Sequence, residues 1–326
     1  MGLIGTQRIN ALGQLRDEIP DLELVGCVDP YQENLPSQFR DLSQLLDEEP
    51  NMLFVAVPHH EIFRICEQAL ERGVRVHVEK PLGTTFVEAK NLKKLDKSGQ
   101  SLTVGFNYRF FRGVETILND IKSGLFGELI RMDLVVGHGG SPTDRTSWKL
   151  DPFAAGGGSL LDPGVHLLDL VLQVTKNPKV LFYNSWKGFW NTGIDEESTA
   201  ALTSSEIPLI TINSSIVRWR SEFMVRVIGS DGYGVVTGRG RSYGPQRYVV
   251  GERWGWQNHA SQLESEVVVI EDDCEDSFER EMRQLILPDS SLPPVATSDE
   301  GVSVMELLES IQTHPFNTSG IVRVKD

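Results

Sequence analysis

The sequence predicts an α/β protein: an N-terminal doubly wound parallel sheet, then an α+β domain with a large, mostly antiparallel sheet. Three observations predict it. Over the first third, short β-branched runs alternate with helical patterns, and strands that are apolar throughout belong to a parallel sheet covered on both faces. Beyond Arg109 the strands succeed one another without intervening helices, as in an antiparallel or mixed sheet. A chain of 326 residues is also long for one hydrophobic core, so two domains are expected, 1–107 and 108–326.

In order, Leu3-Ile4 reads as the stub of a first strand, followed by a helical stretch to Glu18. Leu22 to Val28 reads as a second strand ending on Asp29-Pro30. Helices are expected at Asp41–Glu48, Glu61–Arg72 and Phe86–Leu95, and strands at Met52–Val57, Val74–Val78 and Leu102–Phe106. Past the boundary come a helix at Val114–Ser123, a strand at Glu128–Gly137 and the segment Gly156–Val174. Strands follow at Val180–Trp186, Thr199–Leu202, Leu209–Ile216, Phe223–Ile228, Tyr248–Val250 and Glu266–Ile270, with helices at Asp276–Leu285 and Glu300–Thr313.

The formal net charge of −15 argues against a binder of nucleic-acid backbone, which needs surplus Lys and Arg to displace counterions. The loop Gly238 to Tyr243 therefore reads as an exposed turn. Three scattered cysteines form neither a disulfide framework nor a metal site. Cys27 and Cys66 read as core residues and Cys274 as an exposed thiol. No apolar run is long enough to cross a bilayer and no signal peptide is recognised, so no membrane partner and a cytoplasmic location are expected.

The chemistry-bearing residues fall at strand ends and on one helix. Gly5 stands where a first strand would turn into a first helix, but the stretch Gly5-Thr6-Gln7-Arg8-Ile9-Asn10 keeps only one glycine of a phosphate loop. It reads as a degenerate loop or as an ordinary turn. Asp29, ending the second apolar run, sits where a carboxylate accepts ribose hydroxyls and repels a 2′-phosphate, favouring NAD over NADP; a turn-forming Asp before proline is the plainer alternative. Glu79-Lys80-Pro81 ends another strand at the sheet's carboxyl edge, where ligands bind in open α/β sheets. There Lys80 can exchange a proton with a substrate hydroxyl. Asp162-Pro163 reads as a helix start, a capping carboxylate followed by proline. His166, Asp169 and Gln173 form the polar stripe of an otherwise apolar helix, with Asp162 at its head. A carboxylate four residues before an imidazole can orient it as a general base; a plain cap and a satisfied core histidine are the alternative. His59-His60-Glu61 lacks the second histidine of a zinc-protease helix, since Arg64 occupies that place, and no metal site is expected.

Taken together, these motifs resemble the Gfo/Idh/MocA oxidoreductases. The resemblance runs through Val57-Pro58, Glu79-Lys80-Pro81, Val104-Gly105-Phe106-Asn107-Tyr108-Arg109-Phe110, the glycine-rich Gly156 to Asp169 segment and the Glu300-Gly301 helix. It implies a Rossmann domain with NAD or NADP across the sheet edge and an α+β domain for substrate. Lys80, Asp162 and His166 would be the catalytic group. Gly5, Gln7, Arg8, Ile9 and Asp29 would serve the phosphate and adenosine side of the cofactor. Pro58, His59, Glu79, Lys80 and Asn107 would serve the nicotinamide side. Arg109, Arg145 and Trp148 would join the catalytic group around the substrate. The implied reaction moves a hydride between nicotinamide and a hydroxyl or keto carbon of a sugar, inositol or nucleotide sugar. The implied assembly is a homodimer or homotetramer through the C-terminal sheet.

All departures from the pattern lie on the adenine-and-phosphate side: Gln7 and Asn10 replace glycines, four residues precede Gly5, and the stretch from Asp29 to Asp41 is short by about one helix of a βαβ unit. Two other readings remain open. One is a non-redox glycosidase or epimerase using tightly bound NAD. The other is a catalytically silent relative that binds a sugar or a protein.

Overall fold

The computed structural model describes residues 3–16, 18–30, 37–140, 147–258, 266–315 and 317–321. Two compact units divide the chain, one of residues 1–107 with 278–305 and one of 108–277 with 306–326.

The first unit opens on helix α1 (Leu3–Arg16), where a strand stub at Leu3-Ile4 was expected. The physical reason is a helical burial pattern: Arg8, Ala11, Leu12 and Leu15 recur on one face and are buried, and Ala11, Leu12 and Leu15 pack on Met282. The second expected strand also fails to form. Between residues 22 and 28 only Cys27 pairs, through one parallel bridge to Gln38, and Leu24 is exposed. Next come α2 (Leu42–Asp47), capped by the Asp41 carboxylate on the Gln44 N–H, and β1 (Met52–Val55). They are followed by α3 (His59–Glu71), β2 (Arg75–Glu79) and α4 (Phe86–Leu95), whose cap is the Thr85 hydroxyl on the Glu88 N–H. Strand β3 (Leu102–Gly105) completes the parallel run β1-β2-β3.

The second unit begins with α5 (Arg112–Ser123) and β4 (Leu129–Gly137). A short α6 (Pro152–Ala155) and the apolar α7 (Val165–Val174) follow. Then come β5 (Lys179–Lys187), β6 (Glu197–Thr203), β7 (Leu209–Ser215), β8 (Glu222–Gly229), β9 (Gly232–Thr237), β10 (Gln246–Glu252) and β11 (Val267–Asp272). Strand β9 was not expected, yet it pairs with both β8 and β10.

The chain then returns to the first unit, against the expected contiguous second domain. Most of α8 (Ser277–Ile286) belongs there, as does β12 (Ala296–Thr297), which pairs antiparallel with β3. Helix α9 (Ser298–Gln312) leads out again to β13 (Asn317–Ile321). The large sheet runs β11-β10-β9-β8-β4-β7-β6-β5-β13, antiparallel except for the pairs β4–β7 and β5–β13. Among the described residues no helix is long and apolar enough to cross a membrane. Cys66 is buried and Cys274 exposed, while Cys27 is half-buried.

Candidate active site

In the first unit the functional residues follow the ends of adjacent parallel strands. Beyond β1, Pro58 leads into α3, whose first residue, His59, is buried. Lys80 directly follows β2 and is half-buried, and Asn107 is buried just past β3. Glu79 is already engaged. Its Oε1 accepts from Arg8 Nε at 2.7 Å, and Arg8 Nη2 lies 2.6 Å from Glu281 Oε2. The Arg8 guanidinium also covers the Phe278 ring at 4.6 Å. Burial works against this charge, but Glu281 and Glu79 outweigh it and hold the guanidinium pKa above its ordinary value. Gly105 is required beside the group, since a Cβ there would meet Arg8 Nη2 at 2.8 Å.

In the second unit the expected helix start at Asp162 is not where α7 begins. The Asp162 and Leu161 N–H groups both turn back to the Gly158 carbonyl, and regular helix starts at Val165. Lys149 Nζ donates to the Asp162 Oδ2 at 2.9 Å. His166 is buried in the first turn of α7, and its ring stacks on Tyr108 with centroids 3.8 Å apart and planes 2° from parallel. Burial raises the phenol's pKa far above its usual value, Arg239 opposes the rise, and Tyr243, Asp162 and Glu275 add to it. Gly158 lets the glycine-rich loop approach the backbone at Asp195, because a Cβ would stand 2.2 Å from the Asp195 carbonyl oxygen.

Two other expectations change. Arg109, expected at the substrate, is fully buried with its Nε 2.8 Å from Asp169 Oδ2 and its Nη2 2.5 Å from Oδ1. This bidentate pair accounts for Asp169 in the polar stripe and ties α7 to the segment before α5. The loop at Gly238–Tyr243, expected as an exposed turn, sends Arg239 inward. Its guanidinium carbon lies 3.7 Å from the Tyr243 ring centre, 5.2 Å from that of Tyr108 and 5.8 Å from that of Phe111. Trp148 is half-buried, with Lys149 Nζ 5.8 Å from its ring centre, and Arg145 lies outside the described residues. Sequence reasoning missed Tyr108, Lys149 and Arg239. Tyr108 alone carried a signal, as the aromatic between Asn107 and Arg109.

A parallel sheet of nucleotide-binding type joined to an α+β unit defines the class, and comparison defines the family. The oxidoreductase family profile, described as an NAD-binding Rossmann fold, matches residues 1–106. The profile of the GFO/IDH/MocA C-terminal domain matches residues 114–234. Together they take in more than two thirds of the chain, which belongs to the Gfo/Idh/MocA family. Levoglucosan dehydrogenase of Pseudarthrobacter phenanthrenivorans is 28% identical over 141 residues, 42% of this chain and 36% of that protein. D-glucoside 3-dehydrogenase of Escherichia coli is 27% identical over 179 residues, 51% of this chain and 50% of that protein. The matches span about half the length of such curated relatives or less. A levoglucosan dehydrogenase solved with NADH and levoglucosan has a TM-score of 0.76 at 15% identity, covering 94% of each chain, a likeness of fold.

The family's dinucleotide can be tested against these residues. Its nicotinamide end fits: Pro58, Lys80 and Asn107 all stand just past the carboxyl ends of parallel strands, the usual place for such a ligand. Its phosphate end does not. A pyrophosphate needs a glycine turn leading from a strand to a helix N-terminus, whereas Gly5, Gln7, Arg8 and Ile9 all lie within α1. The Arg8 cation is turned onto Glu79 and Glu281. Asp29 lies just past the Cys27 bridge, its backbone carbonyl accepting from Gln38 Nε2.

Proposed function

We propose that the protein is an NAD(P)-dependent oxidoreductase acting on a hydroxyl or keto carbon of a sugar, inositol or nucleotide sugar. The observation that carries the reading is His166, buried in the first turn of α7 with its ring stacked on Tyr108. A nicotinamide, when bound, supplies the hydride acceptor or donor. His166 takes the proton of the reacting hydroxyl, and its ring is held flat for that task by Tyr108. Asp162 orients the hydroxyl, and Lys149 holds the carboxylate in place. Lys80 donates to the reacting oxygen as charge builds on it. Asp29 favours NAD over NADP by the repulsion a carboxylate exerts on a 2′-phosphate. Exposed Leu181 and Phe182 on β5 and Val267 to Val269 on β11 support a homodimer or homotetramer formed through the large sheet.

Calorimetry with NAD+, NADH, NADP+ and NADPH tests the cofactor, and a sugar screen following reduced-nicotinamide absorbance tests the reaction. Weak binding of NAD, followed by sugar-dependent absorbance change, is the expected result. Helix α1 favours a second reading, a sugar-binding relative without dinucleotide chemistry. Binding of none of the four nucleotides would establish it and overturn the first.

A further inference from the structure

A cation turned into aromatic surroundings beside the proposed general base needs an account. Arg239 is half-buried, and its Nε is shut off from solvent with no hydrogen-bond partner. Burying a guanidinium donor without a partner is costly, and stacking on Tyr243 returns only part of that cost. The carboxylate that acts on Arg239 is Glu275, which is also ion-paired with Arg241. Glu275 is thus shared between two guanidinium groups.

Place and shape both indicate a ligand. The ring faced by Arg239 at 5.2 Å is the Tyr108 ring on which His166 stacks at 3.8 Å. The guanidinium and the imidazole thus share one neighbour, the Tyr108 ring. The paired terminal nitrogens of a guanidinium match two oxygens of a carboxylate or phosphate.

We infer that Arg239, set by Tyr243 and Tyr108, is the subsite for an oxyanion carried by the substrate, so that the preferred substrate is an acidic sugar or a sugar phosphate. The inference rests on the reading of His166 and Asp162 as the groups that face the sugar. It gives Arg239 a specificity role, apart from the proton transfer.

The test is calorimetry on the full chain, without dinucleotide, using glucose, glucuronate and glucose 6-phosphate at low ionic strength. An oxyanion-bearing sugar is expected to bind at least about tenfold more tightly than glucose, with the preference shrinking as salt rises. The tighter of glucuronate and glucose 6-phosphate identifies carboxylate or phosphate as the group held. Arg239→Gln is expected to abolish the preference and leave glucose binding within about threefold, whereas Arg239→Lys keeps part of it as a point charge. Equal affinity for all three sugars overturns the inference. So does an Arg239→Gln variant that loses glucose and acidic sugars alike, since that is the mark of a packing role. Should Arg239→Gln fail to fold, Arg239→Lys and the salt dependence of the wild type decide. Turnover of neutral sugars without an oxyanion preference overturns this inference alone, while an oxyanion preference without dinucleotide binding overturns only the proposed hydride transfer.

Discussion

Arg8 in the first unit and Arg239 in the second are both arginines turned inward, and their surroundings are opposite. Arg8 meets two carboxylates, Glu79 and Glu281, and is 2% exposed. Arg239 meets aromatic rings and shares Glu275 with Arg241. The first arrangement closes a site, because the cation nearest the expected phosphate loop is consumed by the protein itself. The second leaves charge available to a ligand. Sequence reading assigned the two the other way round, with Arg8 at the cofactor and the Arg239 loop as an inert turn. A buried arginine is therefore informative only through its counter-charges, and those come from distant parts of the chain.

The largest expected effect separates chemistry in one unit from binding in the other. His166→Ala should lower turnover by roughly 10²- to 10⁴-fold, the usual worth of a positioned general base, while dinucleotide affinity stays within about twofold. Steady-state rates and calorimetry on the same preparation check it. A parallel loss of dinucleotide affinity would break the division of labour between the units.

Next in size is the closed ion group. Arg8→Met leaves Glu79 and Glu281 facing each other without their cation, and breaking a buried pair in this way costs about 3–5 kcal/mol. Urea unfolding followed by circular dichroism should show the loss. A change of less than about 1 kcal/mol would mean that water already reaches these groups.

A smaller effect comes from His77, buried against Thr103 with Nδ1 3.0 Å from the hydroxyl. Burial, reinforced by the Arg8 charge, holds its pKa well below the usual 6.5. The folded state thus resists a proton that the unfolded chain accepts. Its contribution is intact above pH 6.5 and drains away as pH falls from there toward the folded pKa, at about 1.4 kcal/mol per pH unit. His77→Asn should flatten that part of the stability profile. In Arg8→Met the window should narrow, since one of the two causes is removed.

What the sequence made legible follows from which forces are local. Strands β1, β2 and β3 and helix α4 were readable because apolar runs, caps and helix spacing act over a few residues. The stretch Leu3-Ile4 misled because two apolar residues suit either structure, and the deciding contacts come from Met282 at the far end of the chain. Strand β9 was hidden by its glycines, whose pairing is dictated by β8 and β10. At the site, His166 on an apolar helix was readable, whereas the roles of its neighbours were not. Asp162-Pro163 has the composition of a helix cap, but the Gly158 turn and the Lys149 ammonium take Asp162 elsewhere. Arg109 reads as a ligand-facing cation until Asp169 is seen against it.

The smallest expected effect is also the sharpest check on the opening contrast. Arg239→Gln removes a cation stacked on Tyr243, a contact worth about 0.5–2 kcal/mol. The same change relieves a buried Nε that has no hydrogen-bond partner, a penalty of about 1–3 kcal/mol. The two nearly cancel, so the unfolding midpoint should move by no more than about 1 kcal/mol equivalent in either direction. Arg8→Met, by contrast, removes a cation that Glu79 and Glu281 share. If Arg239→Gln proves as damaging as Arg8→Met, both arginines are structural and the contrast between a closed and an open site fails. If it is neutral, the Arg239 charge is one the fold does not need, and a cation kept at no benefit to folding is what a ligand-binding role requires.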